Sequence, residues 1–448
     1  MLDVNEAKDL YRAYFTRFEK ELVNNGQSWT HRIRKAAISR FAELGFPTTR
    51  HEEWKYTNVT PITEIPFKPA GYELNEITSE TIARVSFGEL AGNQIVFING
   101  RYSPELSSLG RLPENAKAGS LAMALESDAG WVETHLARYA SYRDHAFVAL
   151  NTALMRDGAI VYVPRDKVIE EPIHLLFIST AQGEATVSYP RNLIVMGNDS
   201  QATIVESYIG LKNEVYFTNA VTEIIVGENA VIEHCKLQRE SMQAFHVAVL
   251  QVHQDRSSNF SSHSIAMGGA LVRNEINSVL DGEGGECTLN GLYTITGQQH
   301  VDNHTRIDHV KRHCTSRELY KGVLAGKARG VFSGKVYVHR DAQKTDARQT
   351  NKNLLLSEDA LIDTKPQLEI YNNDVRCTHG STIGQLDQDG IFYLRSRGIG
   401  LETARSLLTC AFASEVISQI RIEPIRLGLE GLLLTRFQKY GDHGEAVR

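Results

Sequence analysis

The sequence predicts a mainly β protein: a β-solenoid flanked by a helical N-terminal region and a helical C-terminal region. Three observations predict it. Helical periodicity marks both ends of the 448-residue chain. At about residue 150 it gives way to short β-rich runs that continue for over 200 residues. Within those runs, five stretches recur at nearly constant spacing.

At the N-terminal end, Leu10, Tyr14 and Phe18 fall at i, i+4 and i+8, one face of a 3.6-residue period. SWTHRIRKAAISRFAELG (28–45) continues with Ile33, Ala37 and Phe41 and stops at Gly45 and Pro47, so residues 1 to about 57 read as helical. From 60 to 145 the signal is mixed. QIVFING (94–100) reads as a strand entering a turn, and SLAMALESDAGWVETHLARYA returns to helix.

The recurring stretches are DSQATIVESYIG from 199, GENAVIEHCKLQ from 227, DRSSNFSSHSIA from 255, GGECTLNGLYTI from 284 and HCTSRELYKGVL from 313, with starts 28, 28, 29 and 29 residues apart. Their fourth position is small: Ala202, Ala230, Ser258, Cys287 and Ser316. Their sixth is apolar in four of them (Ile204, Ile232, Phe260, Leu289) and is Glu318 in the fifth. Their eleventh is apolar at Ile209, Leu237, Ile265 and Val323, with Thr294 as the exception. A period near 28 with strand composition and polar turns fits one solenoid coil per repeat, each coil burying its inner face against the next. Regular strand spacing also suits a β-sandwich, the competing architecture; the fixed period favours the solenoid.

A solenoid has ends that need covering. The N-terminal helices can cover one. LETARSLLTCAFASEVISQI (401–420), with Ala404, Leu408, Ala411, Phe412 and Ile417 at helical spacing, can cover the other, dock a partner, or only pack on the solenoid. IEPIRLGLEGLLLTRFQKY adds a second helix that Pro424 is expected to break. The chain thus divides into a helical and mixed region 1–145, a solenoid 146–395 and a helical region 396–448.

Composition narrows the function. Hydrophobic content of 42%, charged content of 23% and a formal charge of −6 describe an ordinary globular protein without the basic balance of a nucleic-acid binder. No run reaches the roughly 18 apolar residues of a membrane span. The start, MLDVNEAKDLYRAYFTRFEKELV, lacks an apolar signal core, so a cytoplasmic location is expected. Five scattered cysteines (Cys235, Cys287, Cys314, Cys377, Cys410) form no disulfide pattern and are expected to be reduced.

Three stretches could carry chemistry. GVLAGKARG (322–330) is not a P-loop: three residues rather than four separate Gly322 from Gly326, and Ala328 stands where a hydroxyl must bind magnesium. No nucleotide is therefore expected on this chain. HVDNHTRIDHVKRHC (300–314) would pair His300 with His304 on a helix, but the repeat places it in strand and turn, where Asp302 and His304 share a face. Stacked polar side chains explain that as well as a metal does. In EIYNNDVRCTHGSTIGQLD (369–387), an extended backbone puts Cys377 and His379 on one face, about 6.5 Å apart along the strand. Thiolate and imidazole suit iron or zinc. Two ligands are about half of what a tetrahedral zinc site or an iron–sulfur cluster takes, and no Cys-x-x-Cys supplies the rest. The pair is either packed strand or one chain's part of a shared, labile site.

These residues also carry a resemblance. DTKPQLEIYNNDVRCTHGSTIGQLDQDGIFYLRSRGI (363–399), GQQHVDNHTRIDH (297–309), KTDARQTNKNLLLS (344–357) and RHEEWKYTNV (50–59) closely resemble the SufB/SufD family of iron–sulfur cluster assembly scaffold subunits, over most of the chain from about residue 45. Cys377-Thr378-His379 matches the SufD branch, since SufB carries a His-Glu-Ala pattern in this region. The N-terminal motif is present as Arg50, Glu52 or Glu53, Trp54, Lys55 and Tyr56, expected to act as a Trp–Tyr anchor between helix and solenoid. The resemblance implies a right-handed parallel β-helix and a non-enzymatic scaffold. It implies a heterodimer with SufB through the end of the β-helix and a SufC ATPase docked on residues of roughly 400–440. It also implies that Cys377 and His379 are the cofactor-binding and metal ligands for a transient cluster or iron shared with SufB. No role follows for Cys235, Cys287, Cys314 or Cys410, for which core packing is the default. Two alternatives stay open: a SufB-like scaffold that self-associates, and a polysaccharide-active β-solenoid enzyme. The missing signal peptide and the lack of a recurring acidic cluster oppose the second.

Overall fold

The structure, a computed structural model, describes residues 4–21, 29–72, 77–86, 90, 92–127, 129–181 and 183–442. Its centre is a parallel β-solenoid of about eight turns. Successive long strands alternate between two eleven-stranded sheets, so each coil gives one strand to each. The first sheet runs from Ala159–Val163 to Leu361–Ile370; the second runs from Asn93–Ile98 and Ile173–Ser179 to Arg376–Gly384.

Period-two alternation divides each strand between lumen and flank. Ala202, Ile204, Tyr208, Ile232, Phe260, Leu289 and Tyr320 of the second sheet lie in the luminal core. The intervening Val205, Leu237, Ile265, Leu292 and Val323 point outward, under the C-terminal helices.

The coil corner is set by backbone geometry. Asp199, Asn229, Ser257, Gly284, His313 and Lys344 all have φ between +54° and +73°. Each stands two residues before a strand of the second sheet. A left-handed residue turns the chain sharply there. These anchors are 30, 28, 27, 29 and 31 residues apart, which corrects the repeat alignment read from sequence. Ala202 pairs with Ile232 rather than Ala230, and Phe260 with Cys287 rather than Leu289. Both slips are of two residues, so every residue kept its face.

Helices cover the flanks. Val4–Glu21 and Trp29–Leu44 are separate helices, and from Gly45 the chain runs through turns and the short 3-10 segment Glu52–Trp54, correcting the helical reading of 1–57. Gly45, at φ +65°, closes the second helix with its N–H on the Phe41 carbonyl at 2.8 Å. Tyr11, Phe15, Phe18, Phe41 and Phe46 pack with Phe147 onto Val187, Phe217, Phe245 and Leu271 of the first sheet's outer face. Tyr102, Leu112, Ala116 and Ala118 pack against the luminal core at its N-terminal end.

The C-terminal helices, Leu401–Ile417 and Glu423–Asp442, do not cover the other end. They lie on the flank of the second sheet through Ala413, Val416, Ile417, Ile425, Leu429 and Leu433. Buried Lys321 holds them there, donating to the Phe412 carbonyl at 2.7 Å and pairing with Glu415. Pro424 stands in the first turn of the last helix, where its missing N–H costs nothing, so it opens that helix and does not break it.

Close coil stacking forbids side chains at certain glycines. A Cβ on Gly282 would stand 1.9 Å from the Arg256 backbone nitrogen, whereas one on Gly384, in the last strand, meets nothing within 4 Å. Gly282→Ala is expected to destabilise by about 1–3 kcal/mol, as overpacking does, and Gly384→Ala to stay within about 0.5 kcal/mol of the parent; chemical unfolding of both variants checks this.

Candidate ligand site at the open end of the solenoid

The last coil has a neighbour on one side only. Arg376–Gly384 pairs with Asp346–Leu355, aligning Cys377 with Ala347 and His379 with Gln349. Leu361–Ile370 likewise pairs only with Arg329–Val338 in the first sheet's order. Among the described residues, each sheet therefore ends in a free strand edge. Leu361, Ile370, Tyr371 and Ile383 are exposed around these edges, and on the next helix, Gln388–Ser396, Phe392 is 75% exposed. Apolar exposure of this kind marks an interaction surface.

Cys377 and His379 stand on the luminal face of this last strand. Cys377 continues the inward column of Cys287, Ser316 and Ala347. It is half-buried against Val336, Val338, Ala342, Leu368 and Val375. His379 is exposed at the mouth. The strand is extended, as the spacing required, so both side chains project to the same luminal face. Burial lifts the Cys377 thiol above its ordinary value. In the free chain it is a protonated thiol, and metal would have to displace that proton. Among the described residues, no group of three or more His, Cys, Asp and Glu is placed to hold a metal ion.

The histidine-rich run forms a different structure. His300–His309 is a strand, so His300 and His304 are not helical neighbours, and Asp302 and His304 do share a face. His304 Nε2 lies 3.0 Å from Asp302 and its Nδ1 3.6 Å from Glu53. Buried Arg273 pairs with Asp302 and with Glu275, the latter at 2.7 Å, and its guanidinium lies 3.7 Å over the Trp54 ring. Thr57 donates to Asp302 at 2.6 Å. Lys365 pairs with Glu52. The N-terminal motif is thereby latched to the first sheet. Its anchors are Trp54 and Thr57; Tyr56 is only half-buried and stacks beneath Lys55, which corrects the expected Trp–Tyr pair.

Burial opposes charge on Asp302, yet His304 and Arg273 hold its carboxyl well below the usual range. Burial likewise opposes charge on His304, and Asp302 more than offsets it, so the imidazole pKa is raised.

GVLAGKARG runs from the strand Thr315–Leu324 through a turn with Gly326 at φ +66° into the strand Arg329–Val338, with no helix to carry a phosphate cradle. Cys235, Cys287 and Cys314 are buried; Cys410 is half-buried in the first C-terminal helix. Burial pushes the Cys287 thiol up to about 12. Sequence reasoning missed the buried ionic groups of the interior, among them Arg191 with Glu223 at 2.7 Å and His234 with Glu206 at 3.2 Å. Nothing in a single sequence marks these.

Fold and site together define a solenoid with covered flanks, one open end and a thiol–imidazole pair inside that end. Known families place it further. Residues 177–412 match the model described as the SufBD core domain of SUF system FeS cluster assembly, and residues 5–175 match the SufBD protein N-terminal region. The chain belongs to the SufBD family. It is 35% identical over 406 residues to an iron–sulfur cluster assembly SufBD family protein of Synechocystis sp., covering 88% of each chain. It is 31% identical over 391 residues to the iron–sulfur cluster assembly protein SufD of Escherichia coli, covering 87% of this chain and 89% of the relative. It is 25% identical to SufD of Bacillus subtilis, covering 91% of this chain and 93% of the relative.

The latch makes a pH prediction. A raised imidazole pKa gives stability that is present in full below about 6.5 and is lost as pH rises through the folded-state value. The difference in thermal midpoint between the parent and His304→Gln is therefore expected to be largest near pH 6 and to shrink toward pH 9; a difference that grows with pH would contradict it.

Proposed function

We propose that this chain is a non-enzymatic scaffold subunit for iron–sulfur cluster assembly, contributing Cys377 and His379 to nascent cluster or iron at a subunit interface. The observation that carries the reading is their placement: both project inward from the last strand of a solenoid whose end is uncovered. A thiolate and an imidazole are donors that iron accepts, and two donors need a partner to complete the set. The free strand edges and the exposed Leu361, Ile370, Tyr371 and Ile383 offer that partner a surface. Strand addition is the expected mode of docking. The partner is a SufB-type subunit, in line with the family and the Cys-x-His pattern.

A SufC-type ATPase docks on the C-terminal helices. Leu407, Leu427, Leu432 and Leu434 stay exposed on them while Val416, Ile417, Leu429 and Leu433 are committed to the sheet. The ATPase supplies nucleotide chemistry, and its movement opens the interface to iron and sulfur. Closure of the interface keeps the thiol from oxidation between cycles. The complex works in the cytoplasm. No helix among the described residues is long and apolar enough to cross a membrane.

Binding iron at Cys377 releases the thiol proton. Half-burial raises the thiol pKa, so the free chain is expected to hold iron weakly, and the charge and donors of the assembled interface tip the balance. Cys377→Ala and His379→Ala test the reading. The complex is purified anaerobically, its subunit composition is checked by mass, and iron and acid-labile sulfide are counted. Each variant is expected to lose most of the bound iron and sulfide while the complex stays intact; parental counts on an intact complex would remove both residues from the ligand set.

A further inference from the structure

Glu318 is the residue that broke the apolar pattern at the sixth repeat position, and its place in the lumen gives it a role. Seven residues form one inward column up the second sheet: Ile204, His234, Ser262, Leu289, Glu318, Gln349 and His379, each the register partner of the next. The last three are polar in unbroken succession and end at the site. Glu318 is 4% exposed and Gln349 fully buried. Gln349 Nε2 donates to Glu318 Oε2 at 2.7 Å. Burial pushes the Glu318 carboxyl up to about 7, against the pull of its Thr305 and Gln349 contacts. A leucine occupies the rung below, so an acid is not what packing demands here.

Two further features concern Gln349. Its Oε1 is buried and has no hydrogen-bond partner, and an unsatisfied buried acceptor is costly and uncommon. On the facing sheet, a Cβ at position 334 would stand 2.3 Å from the Gln349 amide nitrogen, so Gly334 leaves the room this amide occupies. With its N–H₂ donated to Glu318 Oε2, the amide keeps its carbonyl oxygen for another donor. His379 is the adjacent rung, one strand spacing of about 4.8 Å away, and among the described residues nothing is hydrogen-bonded to its imidazole.

We propose that Gln349, oriented by Glu318, is a positioning residue for His379: its Oε1 accepts the N–H of one imidazole nitrogen, fixing the tautomer so that the other nitrogen presents its lone pair to iron at the open end. Histidine ligands are commonly oriented by such a partner behind them. The proposal rests on the ligand reading of Cys377 and His379 given above.

The test uses substitutions the column already tolerates. Glu318→Leu repeats the neighbouring Leu289 and removes the acceptor of the Gln349 amide, whereas Glu318→Gln keeps one. Gln349→Leu removes the acceptor offered to His379, and Gln349→Glu keeps one. The first readout needs no metal: ring-nitrogen chemical shifts of the ¹⁵N-histidine-labelled full chain, with the His379 signals assigned by their loss in His379→Ala. One tautomer is expected to dominate in the parent, Glu318→Gln and Gln349→Glu, and to give way to a mixture in Glu318→Leu and Gln349→Leu. The second readout is Co²⁺ titration of the complex with its partner subunit, followed by the thiolate charge-transfer band. Affinity is expected to fall about 10- to 100-fold in the two leucine variants and to be restored in the other two. Parental tautomer and Co²⁺ affinity in both leucine variants would overturn the proposal. If His379→Ala also binds Co²⁺ like the parent while the tautomer effect holds, the column orients His379 but the ligand reading fails.

Discussion

A parallel solenoid satisfies its backbone only between coils, and that single constraint organises this protein. Each strand's N–H and C=O groups are paired by the strand before and the strand after it, so the first and last coils are each left with an unpaired side. The chain treats the two ends differently. At the beginning, residues from Tyr102 to Ala118 pack against the luminal core. At the far end both sheets stop at free edges, and the helices that follow turn aside onto the flank. What is open is thus both the hydrogen-bonding edge and the interior.

The interior changes character along its length in a way that suits this asymmetry. In the first coils the lumen is filled by apolar side chains such as Phe97, Phe177 and Ile204, and the coils after them add buried charged groups, with His234 on Glu206 at 3.2 Å and Lys236 Nζ on His246 at 2.9 Å. Toward the open end amides and hydroxyls take over. Tyr293 donates to Asn353 at 2.6 Å, Asn353 to Asn351 at 2.6 Å and Thr364 to Asn351 at 2.9 Å; Thr364 also meets Ser381 across the sheets at 3.0 Å. A packed apolar lumen would bury itself without a partner. A polar, hydrogen-bonded one holds its shape at a mouth that stands in water. Cys377 and His379 extend this polar end.

Much of this was legible in sequence because solenoid physics repeats. The period gave the architecture, and the two-residue slips between Ala202 and Ile232 and between Phe260 and Cys287 did no harm to the assignment of faces, since parity decides which face a residue takes. What the period could not show was how far each coil corner stretches: one left-handed residue, as different as Asp199, Ser257 and Lys344, fixes the corner, and the loops before it vary in length. The Cys-x-His pair was legible as a shared face. Its inward direction was not, because direction depends on which parity of a strand faces the lumen. The latch around Arg273 and Asp302 joins segments over 200 residues apart in sequence (Thr57 to Asp302), beyond the reach of local pattern; only the density of polar residues in HVDNHTRIDH hinted at it. The C-terminal helices are legible as helices, and of the surfaces open to them they pack on the solenoid's flank and not over its end, since an apolar helical face does not say which surface it will cover.

The central claim is that the open end is where a partner completes the site. Hydrogen–deuterium exchange of the full chain, alone and mixed with the SufB-type subunit proposed to dock there, measures this directly at the backbone. The account predicts fast exchange along the free edges of Leu361–Ile370 and Arg376–Gly384 in the isolated chain and strong protection of both on mixing, with the middle coils already protected in each state. Protection confined to the N-terminal helices or the solenoid flanks, with these two strands exchanging as before, would contradict it.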